Sequence, residues 1–271
     1  MIRRPPRSTL DRSSAASDVY KRQTPTIAFI NRRAISAGAL ISLFIEPDKK
    51  IIDLAKAINP NMKIKIIGTG LYLPPKIETS KETAEFIGKN ENWIISKTGV
   101  VERRRSDIDV DKMGAIAASM ALEDNPVPDL IINASAVPKQ SIPDTSVFFQ
   151  KELGLNNIPC FSIHGTCLSF LIAVNNATSL INTGVYERIL IISADRGTIG
   201  RNPKEPESAA LLGDGAAAIL MERGESKNYH YWKMNTWSSD AELTEVRGGG
   251  TFKHPLDKNT ELNKNNHTHA H

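Results

Sequence analysis

Cysteine is scarce in this sequence. Its 271 residues include only two, Cys160 and Cys167, too few for a disulfide scaffold, and a reducing, cytoplasmic setting is expected. Aromatic residues make up only 6% of the chain, and no basic stripe is interleaved with them, which argues against a nucleic-acid partner. The formal charge of +4 does not change this, because the excess is local. Residues 1–61 carry 11 basic and 5 acidic side chains, which leaves 23 and 25 in 62–271. Long apolar runs are missing too. The longest stretch, Thr26 to Ile45, is broken by Arg32 and Arg33, both costly at a bilayer centre, so no membrane span is expected. It also lies too far from the start, and is too interrupted, for a signal peptide. Metal-binding patterns are absent as well. Cys160 and Cys167 lack a CxxC spacing, and Asp107, Asp109 and Asp111 lack the Gly and terminal Glu of a calcium loop. The tail HTHAH presents histidines with no framework around them.

The remaining composition, 40% hydrophobic and 24% charged, is that of an ordinary folded chain. Three stretches differ in character: a leader at 1–61, a body at 62–225 and a polar end at 226–271. In the leader, residues 1–23 (MIRRPPRSTLDRSSAASDVYKRQ) show no period and resemble translated sequencing-adapter read-through. Residues 24–43, TPTIAFINRRAISAGALISL, are similar to the nucleophile segment of Clp-like, membrane-bound serine proteases, with Ser36 in the attacking position. A serine hydroxyl without a base is inert, so this segment reads as a fragment rather than a site.

From Met62 the pattern becomes that of alternating strands and helices. MKIKIIGTG predicts a strand ending in a glycine turn, Pro74–Pro75 a break, and Thr79 or Ser80 the cap of a short helix with Glu82 and Glu85 in its favour. Lys112–Leu122 has helical spacing and Asp129–Ala134 strand length. Asp144 is placed to cap a helix closing at Gly154. Ile158–Ile163 predicts a strand, Cys167 to about Asn182 a long helix, and Arg188–Ser193 a buried strand. Ala216–Met221 predicts one more strand after a tight turn at Gly213–Gly215. Such alternation implies an α/β fold with a parallel sheet covered on both faces. Asn228–Trp237 reads as a further strand, and the tail after it as lacking regular structure. Gly68-Thr69-Gly70 has neither the third glycine nor the following helix of a dinucleotide site.

Cys167 carries the most chemical information. It follows a short strand and HGT, and it opens an apolar helix. There the bare N–H groups of a first helical turn would favour a thiolate and stabilise an oxyanion formed on an attacked thioester. On position alone it is equally well a small buried thiol. Cys160, within the strand, reads as core. Arg103–Arg105 is either a docking patch for an acidic partner helix or a solvated turn.

Four segments in order, MKIKIIGTGLYLPP, ENWIISKTGVVERR, HGTCLSFLIA and LLGDGAAAIL, resemble the β-ketoacyl-acyl-carrier-protein synthase III family over about residues 62–221. The resemblance implies a thiolase-like layered α/β fold, with one half largely present and the second truncated. It implies an acyltransferase that loads an acyl group from acyl-coenzyme A as substrate, with no bound cofactor. The acyl group is then condensed with malonyl-acyl-carrier protein, and the protein works as a homodimer. By resemblance Cys167 is the nucleophile, and Trp93 stacks on the coenzyme adenine. Lys97 stands where an arginine meets the coenzyme phosphates, and Ile142 reaches into the partner subunit's acyl pocket to limit chain length. RGGGTFKHP at 247–255 is similar to relatives that condense longer chains.

The departures from the family are equally specific. Thr166-Cys167-Leu168-Ser169 replaces Ala-Cys-Ala-Gly, and the larger Leu168 and Ser169 argue against simple acetyl priming. The coenzyme-binding arginine ahead of GDG has no match; Pro206 lies near its spacing, with Lys204 the closest cation. The His-Gln-Ala-Asn and Gly-Asn motifs that supply the decarboxylating His and Asn do not occur after Cys167. Acyl transfer without condensation is therefore the expectation for this chain. The alternative is a non-catalytic thiolase-fold half that assembles with a complementary chain.

Overall fold

A computed structural model describes residues 64–224 continuously, with short pieces beyond them (232, 234–242, 244–246, 248 and the backbone of 269–270). The leader 1–61 with Ser36, most of 247–255 and most of the histidine tail lie outside the described residues.

The strands of the body are β1 (Ile64–Tyr72), β2 (Lys76–Thr79), β3 (Glu102–Arg105), β4 (Leu130–Asn133), β5 (Cys160–Ser162), β6 (Arg188–Arg196) and β7 (Asp214–Arg223). Its helices are α1 (Ser80–Ile87), α2 (Glu91–Thr98), α3 (Val110–Leu122), α4 (Thr145–Glu152), α5 (Ser169–Asn182) and α6 (Pro206–Ala209). Five strands make one sheet in the order β1-β7-β6-β4-β5, and β2 and β3 form a separate hairpin. β4 runs parallel to β5 and β6, but β7 runs antiparallel to both β6 and β1.

The expected parallel sheet is therefore mixed. Parallel neighbours need a crossover long enough to carry the chain back. α4 and α5 provide this between β4, β5 and β6. The 197–213 connection holds only a 3-10 turn at Gly197–Gly200 and the four-residue α6, and it returns the chain alongside β6 in the opposite sense. The expected turn at Gly213–Gly215 is also displaced: Asp214 and Gly215 already belong to β7, facing Arg196 and Asp195.

Both faces of the sheet are covered. Ile131, Leu190, Ile192, Ala216, Ala218 and Leu220 meet Met113, Ala117, Ala118 and Ala121 of α3 and Phe149 of α4. The alternate set, Leu130, Ile132, Ile189, Ile191, Ile219 and Met221, meets Phe170, Ala173, Ala177 and Ile181 of α5. Strands buried on both faces need this unbroken apolar character. Gly68 and Gly70 let α3 approach the backbone of β1: a Cβ on Gly70 would lie 1.8 Å from the Ala117 carbonyl oxygen, and one on Gly68 2.0 Å from that of Ala121. The Gly68-Thr69-Gly70 motif is thus a seat for a helix.

Capping follows the sequence. Thr79 and Glu82 form a reciprocal capping box on α1, and Asp144 accepts the Ser146 N–H at the start of α4. Beyond the body, Trp232 and residues 234–237 belong to no regular element, so the expected strand over 228–237 does not extend through them. His269–Ala270 pairs antiparallel with Thr244–Glu245, because backbone pairing needs no apolar face. No helix among the described residues is long and apolar enough to cross a membrane.

Candidate active site

Since β4, β5 and β6 point the same way, their carboxyl ends share one edge of the sheet, the side on which open α/β sheets place their ligands. Three segments leave from that edge: 134–144, which carries Ile142; 163–168, which carries Cys167; and 197–213, which carries α6.

The Cys167 segment has a built geometry. Ile163 still donates to the Asn133 carbonyl at 2.8 Å, and the chain then turns through Thr166 at φ +53°. Left-handed backbone is costly for a β-branched residue and persists only where its surroundings hold it. Ser169 supplies the hold. Its hydroxyl accepts from the Gly165 N–H at 2.9 Å and donates to the Thr166 carbonyl at 2.7 Å. The residue is only 1% exposed, so Ser169 does not crowd the substrate side as the sequence suggested. Its hydroxyl is turned inward.

The expected helix start is corrected as well. Thr166–Leu168 is a 3-10 turn, and α5 begins at Ser169. Cys167 stands two residues ahead of the α-helix and is exposed, and Cys160 is half-buried in β5. The two readings left open for Cys167 are thereby separated: it is not a buried thiol. Cys160 packs against the core, with the Gln150 amide 3.5 Å from its sulfur. Leu168 donates its N–H to the Gly165 carbonyl, and the Cys167 N–H has no acceptor among the described residues.

Replacing Ser169 by alanine is expected to strand the Gly165 N–H and the Thr166 carbonyl, at a cost of about 1–3 kcal/mol. The melting temperature should fall and reaction of Cys167 with thiol reagents should change, while Ser179→Ala, on the exposed face of α5, should leave both as they were.

Trp93 lies in α2, whose first turn is capped by the Asn90 side chain accepting the Trp93 N–H at 2.8 Å. The indole is half-buried against Ala84, Ile87, Ile94, Ala209 and Ala210, and the Lys89 ammonium lies 5.4 Å from its ring centroid. Lys97 follows one turn later on the same helix and is exposed. Ala209 and Ala210 belong to the end of α6, so Trp93 is brought against the segment that holds Pro206 and Lys204. Pro206 is the first residue of α6, and Lys204 is exposed. Ile142 projects alone, 85% exposed.

Arg103, the first of the arginine cluster, is neither docking surface nor solvated turn. Arg103 is fully buried; it donates to the Ala210 carbonyl at 2.7 Å and to the Thr83 hydroxyl. Arg105 pairs with Glu78 at 3.2 Å, and Arg201 grips both Glu78 oxygens at 2.6 and 2.9 Å. Burial pushes the Glu78 carboxyl up, but hydrogen bonds from Arg201 and Thr83 and the charges of Arg201 and Arg105 outweigh it and hold it at about 2. This knot ties the β2–β3 hairpin to α1, to the 197–213 segment and to α6, beneath Trp93. Sequence reasoning missed it because its members are distant in the chain.

Two more carboxylates serve the same edge. Burial pushes the Asp195 carboxyl above its ordinary range, although the Val137 and Ala136 N–H groups and the charge of His164 pull against it. Burial also works against Asp144, yet the Ser146 and Ser162 hydroxyls and the Ser146 N–H hold it below its ordinary range. The alternating aspartates part company: Asp109 pairs with Arg196 at 2.8 Å and Asp111 with Lys139. No group of three metal-ligating side chains meets among the described residues.

The family model for 3-oxoacyl-[acyl-carrier-protein] synthase III matches residues 161–240, which include Cys167 and its turn. A β-ketoacyl-acyl-carrier-protein synthase III from Rickettsia bellii is 35% identical over 196 residues, 69% of this chain and 62% of that protein. One from Clostridium acetobutylicum is 33% identical over 167 residues, 60% of this chain and 51% of that one. The crystal structure of the synthase III from Aquifex aeolicus superposes with a TM-score of 0.58 at 31% identity, covering 60% of this chain and 55% of that one. This chain is similar to the β-ketoacyl-acyl-carrier-protein synthase III proteins over the body of its described residues. It has the thiolase-like α/β fold, and it spans between about half and three fifths of the length of these relatives.

Proposed function

We propose that this chain is a member of the β-ketoacyl-acyl-carrier-protein synthase III family, and that it binds an acyl-coenzyme A thioester and takes its acyl group onto Cys167. The Cys167 sulfur attacks the thioester carbonyl, and the bond to the coenzyme sulfur breaks. The coenzyme leaves as its thiol, with the proton given up by Cys167. The N–H of Cys167 is available to the transient oxyanion, and the Trp93–Lys97 face of α2 to the adenine and phosphates. Lysine offers those phosphates a point charge rather than the planar fork of arginine.

The observation that carries this reading is the exposed Cys167, on a strained turn stapled by a buried hydroxyl, at the carboxyl ends of three parallel strands. In a complete synthase the acyl group then passes to the carbon released when malonyl-acyl-carrier protein loses carbon dioxide. The His-Gln-Ala-Asn and Gly-Asn motifs that carry that step in the family do not occur in these 271 residues, so these residues by themselves are expected to load but not to condense. Its work belongs to fatty-acid or related lipid synthesis in the cytoplasm. The sheet ends at β5 with Phe161 exposed on that edge strand, an edge suited to a second copy of the chain.

The test is incubation with an acyl-coenzyme A followed by peptide mass spectrometry. The acyl mass on the peptide holding Cys167 is expected. An adduct on Cys160, or on neither cysteine, overturns the assignment.

A further inference from the structure

Segment 134–144 is more firmly anchored than its composition suggests, and the anchors converge on one projecting residue. Asp195 at the end of β6 accepts the N–H groups of Ala136 and Val137, each at 2.9 Å. Lys139 is held twice: its N–H donates to the Thr145 hydroxyl at 2.9 Å, and its ammonium is bonded to Asp111 of α3. That ammonium also lies 5.0 Å from the Phe148 ring centroid. Asp144 fixes the far end by capping α4. Four residues, Gln140 to Pro143, remain between these anchors, and Ile142 among them projects into solvent. Pro138 and Pro143 limit the backbone on either side.

Asp111 is the unusual member. It is 1% exposed, and its second oxygen is buried without a hydrogen-bond partner. A buried carboxylate is costly to keep, and here its single ion pair reaches out of the core to the strap rather than joining two core elements.

We infer that Asp111 and Lys139 are positioning residues for acyl-chain selection: they fix the height at which Ile142 stands, and so how far it reaches into the acyl pocket that the resemblance assigns to the partner subunit. This rests on the reading of Ile142 as the residue that limits chain length. With the ion pair intact the apex is rigid and longer chains meet Ile142. Without it the strap can yield and admit them.

The test uses the full chain and a series of straight acyl-coenzyme A thioesters from short to long, reading the rate of Cys167 acylation for each. Ile142→Ala should raise the long-to-short rate ratio roughly tenfold, the scale set by removing bulk from an apolar pocket. Lys139→Met, which keeps the stem over Phe148 but removes the charge, should move the ratio the same way by several-fold. Lys139→Arg should restore the native ratio. Thr145→Val, which releases only the Lys139 N–H, should give a smaller shift and serves if Lys139→Met fails to fold.

If Ile142→Ala shifts the ratio while Lys139→Met and Thr145→Val do not, the positioning role is overturned and the reading of Ile142 stands. If Ile142→Ala itself changes nothing, that reading falls and takes this one with it. An equal slowing for all chain lengths in Lys139→Met would mark a merely structural ion pair and also overturn the role.

Discussion

Replacing Cys167 by alanine is expected to lower acyl transfer from coenzyme A by about five to six orders of magnitude, the loss seen when an enzyme's attacking atom is removed. Cys160→Ala should stay within a few-fold of the parent. The contrast comes from placement. Cys160 sits in β5 against the core, with Gln150 beside its sulfur, and alanine there removes only a small volume. Cys167 is exposed at the crest of the turn, so alanine removes the attacking atom while leaving the Ser169 staple intact. The melting temperature of Cys167→Ala should therefore be unchanged. A stopped assay of coenzyme thiol release checks the rates. Equal losses in the two variants would place the chemistry elsewhere.

Local chemistry was the most legible part of this chain. Thr79 with Glu82, Asp144 before α4 and the helical spacing of Lys112–Leu122 each depend on neighbours a few residues away, and each behaves as read. The setting of Cys167 was legible for the same reason, since it follows a strand and precedes an apolar helix within a few residues, but its exposure was not. What could not be read depends on distant partners. A continuous apolar run such as Ala216–Met221 looks the same whether its neighbours are parallel or antiparallel, so the direction of β7 was hidden. Glu102–Arg105 looks like charged surface because nothing nearby says that Glu78, Thr83 and the Ala210 carbonyl will enclose Arg103. Ser169 looked like added bulk because its hydroxyl partners are backbone groups, which leave no mark in sequence. The ion pair of Asp111 was hidden among the alternating aspartates because its partner, Lys139, lies 28 residues away.

Glu78→Gln is expected to destabilise the folded chain by about 3–5 kcal/mol, the range for breaking a buried ion pair from one side. Glutamine preserves the shape, but it leaves the buried guanidiniums of Arg201 and Arg103 without their counter-charge. The pH dependence gives an independent figure. Holding a carboxyl at about 2 rather than its ordinary 4.5 corresponds to about 3 kcal/mol. Because the folded-state value lies below the unfolded one, that stabilisation is complete above about pH 5 and is lost as the pH falls toward 2. The parent should therefore lose stability through this window more steeply than Glu78→Gln, and the two melting curves should converge at the acid end. At neutral pH the variant should melt roughly 10 °C lower, at the usual conversion for a domain of this size. Trp93 rests on Ala209 and Ala210, and Arg103 fixes Ala210 through its carbonyl. The loss should therefore reach the face proposed for the coenzyme before the chain unfolds, raising KM for the acyl thioester more than it lowers kcat. Parallel melting curves for parent and variant from pH 7 down to 2 would show that Glu78 does not carry the charge balance of this knot.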